Sequence, residues 1–167
     1  MDNFFEYMVK RKKTSKDLAI TVLVILAALI VIYLLMYLMM TPVSMLAFPL
    51  QVLVVYLAYR FITTRNVEFE YCVTNGDLDV DKIINRQKRK RVASVESKSI
   101  ISMAPVGSDK LEPVGNREVT DVTSGDPEKK VYCVIYGEGS GKVLMFEPTE
   151  SMVTEMQRKN PRNIFTD

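Results

Sequence analysis

Two patterns of apolar residues divide the chain. Between Leu18 and Tyr59 there is no Asp, Glu, Lys or Arg, and most positions are Leu, Ile, Val, Met, Ala or aromatic. From Val67 onward apolar residues alternate with polar ones instead. An uninterrupted apolar stretch suits the hydrocarbon of a bilayer, whereas a period of two suits a strand buried on one face.

At 1.5 Å per residue a single helix over Leu18–Tyr59 would be about 60 Å long, twice the thickness of a hydrocarbon core. The stretch "MMTPVS" at 39–44 breaks it, because Pro42 lacks a backbone donor and restricts the residue before it. The pattern predicts two spans, about 18–40 and 45–62, joined by a tight hairpin, with Pro49 in the first turn of the second, where its missing N–H matters least. The apolar run is too long for a signal peptide and no Ala-x-Ala-like site ends it.

Beyond the spans, "VEFEYCVT" alternates, with Val67, Phe69, Tyr71 and Val73 on one face and Glu68, Glu70, Cys72 and Thr74 on the other. Asn75-Gly76 predicts a two-residue type I′ turn, after which "DLDVDKII" returns with Leu78 opposite Val73 and Val80 opposite Tyr71. Further strands are expected over "RVASVES", "SIISMAPV", "VYCVIY" and "KVLMFEP", with a short one around Glu118–Val122 inside an otherwise polar stretch. "TESMVTEMQRKNP" predicts a closing helix: Thr149 as N-cap, Glu150 at the positive end of its dipole, Met152, Val153 and Met156 on one face, and Asn160-Pro161 as the stop.

Charge adds an orientation. Residues 1–65 hold seven Lys and Arg against three acids, while residues 66–167 hold 15 against 17. Lys10, Arg11, Lys12, Lys13 and Lys16 precede the first span, Arg60 and Arg65 flank the end of the second, and the hairpin loop has none. The positive-inside rule therefore predicts a multi-pass membrane protein with both termini cytoplasmic and the hairpin loop outside. The organisation expected is a basic flank over 1–17, a transmembrane hairpin over 18–62 and a cytoplasmic domain over 66–167.

Candidate chemistry is sparse. The chain has no histidine, which removes the commonest general base and most mixed metal sites, and its serines and carboxylates lie in no nucleophile or paired-acid context, so no enzyme activity is expected. "GEGSGK" at 137–142 lacks the Gly-x4-Gly-Lys-Ser/Thr spacing of a phosphate loop and leads into a strand, so it reads as a hairpin turn. Asp77, Asp79 and Asp81 have calcium-loop spacing, but the sixth and twelfth positions are Lys82 and Lys88, so a solvated acidic face is expected. Cys72 and Cys133 have neither Cys-x-x-Cys spacing nor a histidine partner and read as buried thiols. No catalytic, cofactor or metal residues are predicted.

The basic run Lys88, Arg89, Lys90 and Arg91 remains. It is expected in or beside the turn between the second and third strands, as a solvated end that discourages strand pairing or as a contact for anionic lipid or protein. Nucleic acid fits poorly, because the domain around the run is net acidic. Lys10, Arg11, Lys12 and Lys13 together with Lys88, Arg89, Lys90 and Arg91 are the candidate docking residues.

The stretches "YCVTNGDLDVDKIINRQKRKRVASV" and "FEPTESMVTEMQRKNPRNIF" resemble an uncharacterised family of small two-span membrane proteins of Gram-positive anaerobic bacteria. In that family a basic segment and a hairpin precede a bacterial pleckstrin-homology-like (PH-like) domain. The resemblance implies a mainly-β, PH-like split barrel of about six to seven antiparallel strands with a C-terminal helix, whose Met152, Val153 and Met156 plug one end. In eukaryotic pleckstrin-homology domains the loop between the first two strands often supplies basic phosphoinositide ligands; here that turn is expected to be Asn75-Gly76, beside acidic Asp77. The functional expectation is a membrane-anchored, non-enzymatic interaction domain at the inner face of the membrane, holding a protein partner and contacting anionic headgroups. The alternative is an accessory subunit of a transporter or envelope enzyme, working through its hairpin.

Overall fold

The computed structural model describes residues 3–41, 44–137 and 141–166. Pro42, where the sequence predicts the hairpin break, lies outside the described residues, as do Glu138, Gly139 and Ser140 of the "GEGSGK" stretch. The chain separates into two compact units, one of residues 13–66 and one formed by 1–12 together with 67–167.

The first unit is helical. Helix α1 (Ser15–Leu38) begins with a capping box in which the Thr14 amide donates to Asp17 Oδ2 at 3.1 Å. Helix α2 (Ala47–Thr63) follows a 3₁₀ turn at Ser44–Leu46 and holds Pro49 in its first turn. Both stretches are long and apolar enough to cross a membrane by length and composition. No side chain of α1 is buried, which is not how the core helix of a globular domain looks. Arg65 pairs with Asp17, tying the start of α1 to the end of α2.

The second unit is mainly β. Strand β1 (Phe4–Lys10) starts it, then β2 (Val67–Thr74), β3 (Asp77–Ile84) and β4 (Lys88–Val95), in the spatial order β1-β2-β3-β4 with every neighbour antiparallel. The hinge between β2 and β3 is Asn75-Gly76, at φ of 53° and 93°, and the register pairs Leu78 with Val73 and Val80 with Tyr71 as the sequence predicts. Gly76 has a second reason to be glycine: a Cβ there would stand 2.6 Å from the Lys159 side chain.

The second sheet contains β5 (Ile100–Pro105), β6 (Val119–Asp121), β7 (Tyr132–Tyr136) and β8 (Lys142–Phe146), in the order β5-β7-β8-β6, with β6 parallel to β8. Helix α3 (Glu150–Lys159) closes the chain, capped by Thr149, whose hydroxyl accepts from the Met152 amide at 3.4 Å. One core joins the pieces: Tyr71, Val73, Leu78 and Val80 from the first sheet, Met103, Val134, Leu144 and Phe146 from the second, and Met152, Val153 and Met156 from α3. Tyr71 lies edge-on to Phe146 at 5.6 Å and donates its hydroxyl to the Val122 carbonyl at 2.6 Å, so its one polar atom is satisfied inside the core.

Two expectations are corrected here. The described strands number eight, in two four-stranded sheets, and do not close into a split barrel of six or seven. Residues 1–17 are not merely a basic flank ahead of a domain starting at 66, because Phe4–Lys10 is an integral strand pairing with β2 from Phe4↔Thr74 to Lys10↔Glu68. Phe5, Tyr7 and Val9 pack on the core, and Val9 is 1% exposed. The helical hairpin is therefore an insertion between two hydrogen-bonded neighbours of one sheet.

Candidate functional site

The candidate site is the end of the first sheet where the chain departs after β1 and returns before β2. The β3–β4 turn falls at the same end, since β3 finishes at Ile84 and β4 begins at Lys88. Asn85 and Arg86 make this turn at φ of 50° and 54°. Register then lays the basic residues out in rows. Lys10, Glu68, Ile83 and Arg89 form one row across the four strands, and Val9, Phe69, Lys82 and Lys90 form the next. Neighbouring strands are about 4.8 Å apart, so Lys10 and Arg89 are about 14 Å from each other in backbone terms.

The basic run is thus not a turn but the opening of β4, and alternation splits it. Arg89 and Arg91 point to the outer face of the sheet, away from the core, where β2 and β3 present acids. Arg89 meets Glu70 Oε2 at 2.7 Å and Asp81 Oδ2 at 3.7 Å. Arg91 meets Asp79 Oδ1 at 2.7 Å and also pairs with Asp81. Arg86 reaches Glu68 Oε1 at 3.5 Å. Of the solvated acidic face expected at Asp77, Asp79 and Asp81, Asp77 is exposed and Asp79 half-buried, but Asp81 is buried at 7% exposure, alongside Glu68 at 8% and Glu70 at 3%. Carboxylates this dry need cations, and Arg86, Arg89 and Arg91 supply them.

Lys88 and Lys90 belong to the other face, in line with Lys82 and Arg11. Among the described residues no ion pair involves any of these four, and Arg11, Lys88 and Lys90 are exposed. Lys82 and Lys90 stand directly opposite each other, a like-charged pair that leaves positive potential uncompensated. Lys12 is engaged instead: its ammonium lies 2.9 Å from Asp126, whose carboxyl it holds below the usual range, and its amide donates to the Ser124 carbonyl. Lys13 begins the helical unit and is exposed.

Of the eight predicted docking residues, the structure brings seven to this sheet end, places Arg89, Arg91 and Lys12 in ion pairs, and leaves Lys13 in the other unit. Lys82 and Arg86 were missed. Lys82 reads as one more polar position of "DLDVDKII", and only its register opposite Lys90 gives it a place in the patch. The expectation about the loop between the first two strands is also corrected: with β1 present, Asn75-Gly76 joins the second and third strands, and the connection between the first two is the whole helical hairpin with its basic flanks.

On the outer face a shallow hollow of about 430 Å³ is lined by Met8, Lys10, Glu68, Ile83 and Arg86. Beside it lies a carboxyl pair. Burial pushes Glu70 above the ordinary carboxylate range, a hydrogen bond with Glu6 raises it further, and Arg89 opposes the shift.

The chemical candidates raised by the sequence do not converge at this sheet end among the described residues. Burial raises both cysteine thiols, Cys72 and Cys133, away from the thiolate form, so neither is set up as a nucleophile. No cluster of three metal-ligating side chains occurs among the described residues. The three Asp residues of β3 are individually engaged, Asp77 by the Ser97 amide, Asp79 by Ser94 and Arg91, Asp81 by Arg89 and Arg91, and they do not converge. Gly141 leads into β8, a strand, rather than into the helix a phosphate loop needs.

Two sheets on one core, with a C-terminal helix supplying part of it, define a PH-like domain, here carrying two apolar helices between its first and second strands. The model of a family described as a bacterial PH-like domain, DUF6106, matches residues 1–166, and the chain belongs to that family. No curated protein and no solved structure matches it.

Proposed function

We propose that the protein is a membrane-anchored, non-enzymatic interaction domain, held at the inner face of a bacterial membrane by α1 and α2 and touching anionic headgroups with the basic end of its first sheet. One observation carries the reading. The apolar hairpin is inserted between β1 and β2, so the sheet end from which the chain leaves is also the end bearing Arg11, Lys82, Lys88 and Lys90 without acidic partners among the described residues. Only four residues separate Lys10 from Ser15, so the connection out of β1 spans at most about 18 Å, and these cations lie within reach of any bilayer the hairpin occupies. Each Lys or Arg near an anionic surface contributes about 1 kcal/mol. The free face of the domain then holds the protein partner. The accessory-subunit alternative gains no support from the helices, whose stretch from Leu18 to Tyr59 contains no Asp, Glu, Lys, Arg or His to mark an ion or substrate path.

Topology is the test. In a Cys72→Ser, Cys133→Ser background, Thr41→Cys should react with an impermeant maleimide on intact cells, while Lys90→Cys should react only after lysis. Labelling of Lys90→Cys from outside, or release of the protein from membranes by alkaline carbonate, would defeat the proposal.

A further inference from the structure

The first sheet has two edges, and they are treated differently. The β4 edge carries Lys88, Arg89, Lys90 and Arg91, charges of the kind that keep strands from adding to a sheet. In the second sheet the β5 edge is covered by the chain's own tail, since the Met103 amide donates to Asn163 O and the Phe165 amide to Met103 O, both at 2.8 Å. Strand β1 is less protected: seven residues with one acid, Glu6, and one base, Lys10, no proline, no glycine and no bulge, no tail covering it among the described residues, and Phe4 and Met8 exposed.

Hydrogen-bond parity identifies which groups are unused. Arg11 N donates to Val67 O at 3.1 Å and Asn75 N to Asn3 O at 3.2 Å, so the odd-numbered residues of β1 turn their backbone groups toward β2. Phe4, Glu6, Met8 and Lys10 therefore turn theirs outward, and among the described residues none has a backbone partner there. The next outward position, Lys12, is taken by Ser124 O at 2.8 Å, which sets the limit of the open edge.

The side chains on this edge are self-complementary. Glu6 hydrogen-bonds Glu70, another carboxyl, and no ion pair involves Glu6 among the described residues. Lys10 follows Glu6 by four positions with Met8 midway. In an antiparallel pairing of two copies about Met8, Glu6 of each lies opposite Lys10 of the other and the two Met8 side chains meet at the centre. Shifting that register by two residues either sets Glu6 against Met8 or runs the ladder into the position that Ser124 already occupies.

We propose that β1 is a dimerisation edge: a second copy of this chain adds to it antiparallel, centred on Met8, making one continuous eight-stranded sheet with two reciprocal Glu6–Lys10 pairs. The contact is isologous and closes on itself. It does not depend on whether the hairpin lies in a membrane or the basic end touches lipid.

The full-length chain in detergent, sized by light scattering, tests it. Wild type should be a dimer. Glu6→Lys and Lys10→Glu should each lower the association constant about tenfold or more, and the double exchange should restore it, because the pairs are re-formed with the signs reversed. Met8→Pro should give a folded monomer: the amide it removes faces outward and is not part of the β1–β2 ladder, so near-ultraviolet circular dichroism should be retained. A monomeric wild type, a dimer that survives Met8→Pro and so runs through the helices, or a double exchange that fails to restore association would each overturn the proposal.

Discussion

Four consecutive cations, Lys88 to Arg91, share one strand and have two different fates. On the outer face Arg89 and Arg91 are consumed by the fold, holding buried Glu70 and Asp81 and half-exposed Asp79. On the opposite face Lys88 and Lys90 have no acidic partner among the described residues and leave a surplus beside Lys82 and Arg11. Residue type matches the division: the planar guanidinium suits a carboxylate lattice and the strongly hydrated ammonium a wet, anionic surface. A basic run in a strand is thus two sets interleaved, one holding the fold's carboxylates and one without acidic partners among the described residues.

The largest effect should come from removing the strand that frames both faces. A piece spanning residues 66–167 lacks β1, with buried Val9 and packed Phe5 and Tyr7, and should show no cooperative thermal transition. A chain in which residues 1–12 are joined to 67–167 by a short Gly/Ser linker should melt cooperatively, since Arg11 and Val67 are already hydrogen-bonded neighbours.

Next come the two faces themselves. In that linked domain, Lys88→Ser with Lys90→Ser should weaken binding to anionic vesicles about 30-fold, from roughly 1 kcal/mol per lysine, and change stability by less than about 0.5 kcal/mol. Arg89→Ala should do the reverse. It leaves Glu70 buried without its cation and should cost about 2 kcal/mol, less than a fully buried pair because the Arg89 side chain is 58% exposed. Denaturant titration beside vesicle flotation reads both effects.

The smallest effect concerns the carboxyl pair. Glu70 is raised above its unfolded value by burial and by Glu6, so its favourable contribution is full below the ordinary carboxylate range and is lost as pH rises through the folded value. Removing the like-charged neighbour by Glu6→Gln should therefore stabilise the dilute linked domain at pH 7 by about 0.5 kcal/mol, and the gain should vanish on acidification below the carboxylate range. A gain independent of pH would mean that the two carboxyls do not interact.

Much of this architecture is legible in the sequence, for physical reasons. Absence of charge from Leu18 to Tyr59 marks the hairpin, Asn75-Gly76 fixes the register of β2 against β3, and Thr149 with Met152, Val153 and Met156 marks α3. β1 escapes notice because "FFEYMVK" runs straight into Arg11, Lys12 and Lys13, so its alternation is overshadowed by a basic flank, and its partner lies more than fifty residues away across the helices. The carboxylate lattice escapes because alternation predicts which face Glu68, Glu70 and Asp81 share but not that arginines from β4 and the turn before it will cover it. Lys82 escapes for the same reason, its role being set by a neighbour across the sheet.

Whether the domain meets the membrane through the lysine face of its first sheet is decided by floating the linked domain, wild type and Lys82→Ser/Lys88→Ser/Lys90→Ser, with phosphatidylglycerol vesicles across a salt series. Wild type should float with anionic vesicles at low salt, be released as salt rises and ignore phosphatidylcholine, and the triple variant should stay at the bottom of the gradient. Equal flotation of the two proteins, or a wild type indifferent to anionic lipid, would contradict the proposed contact.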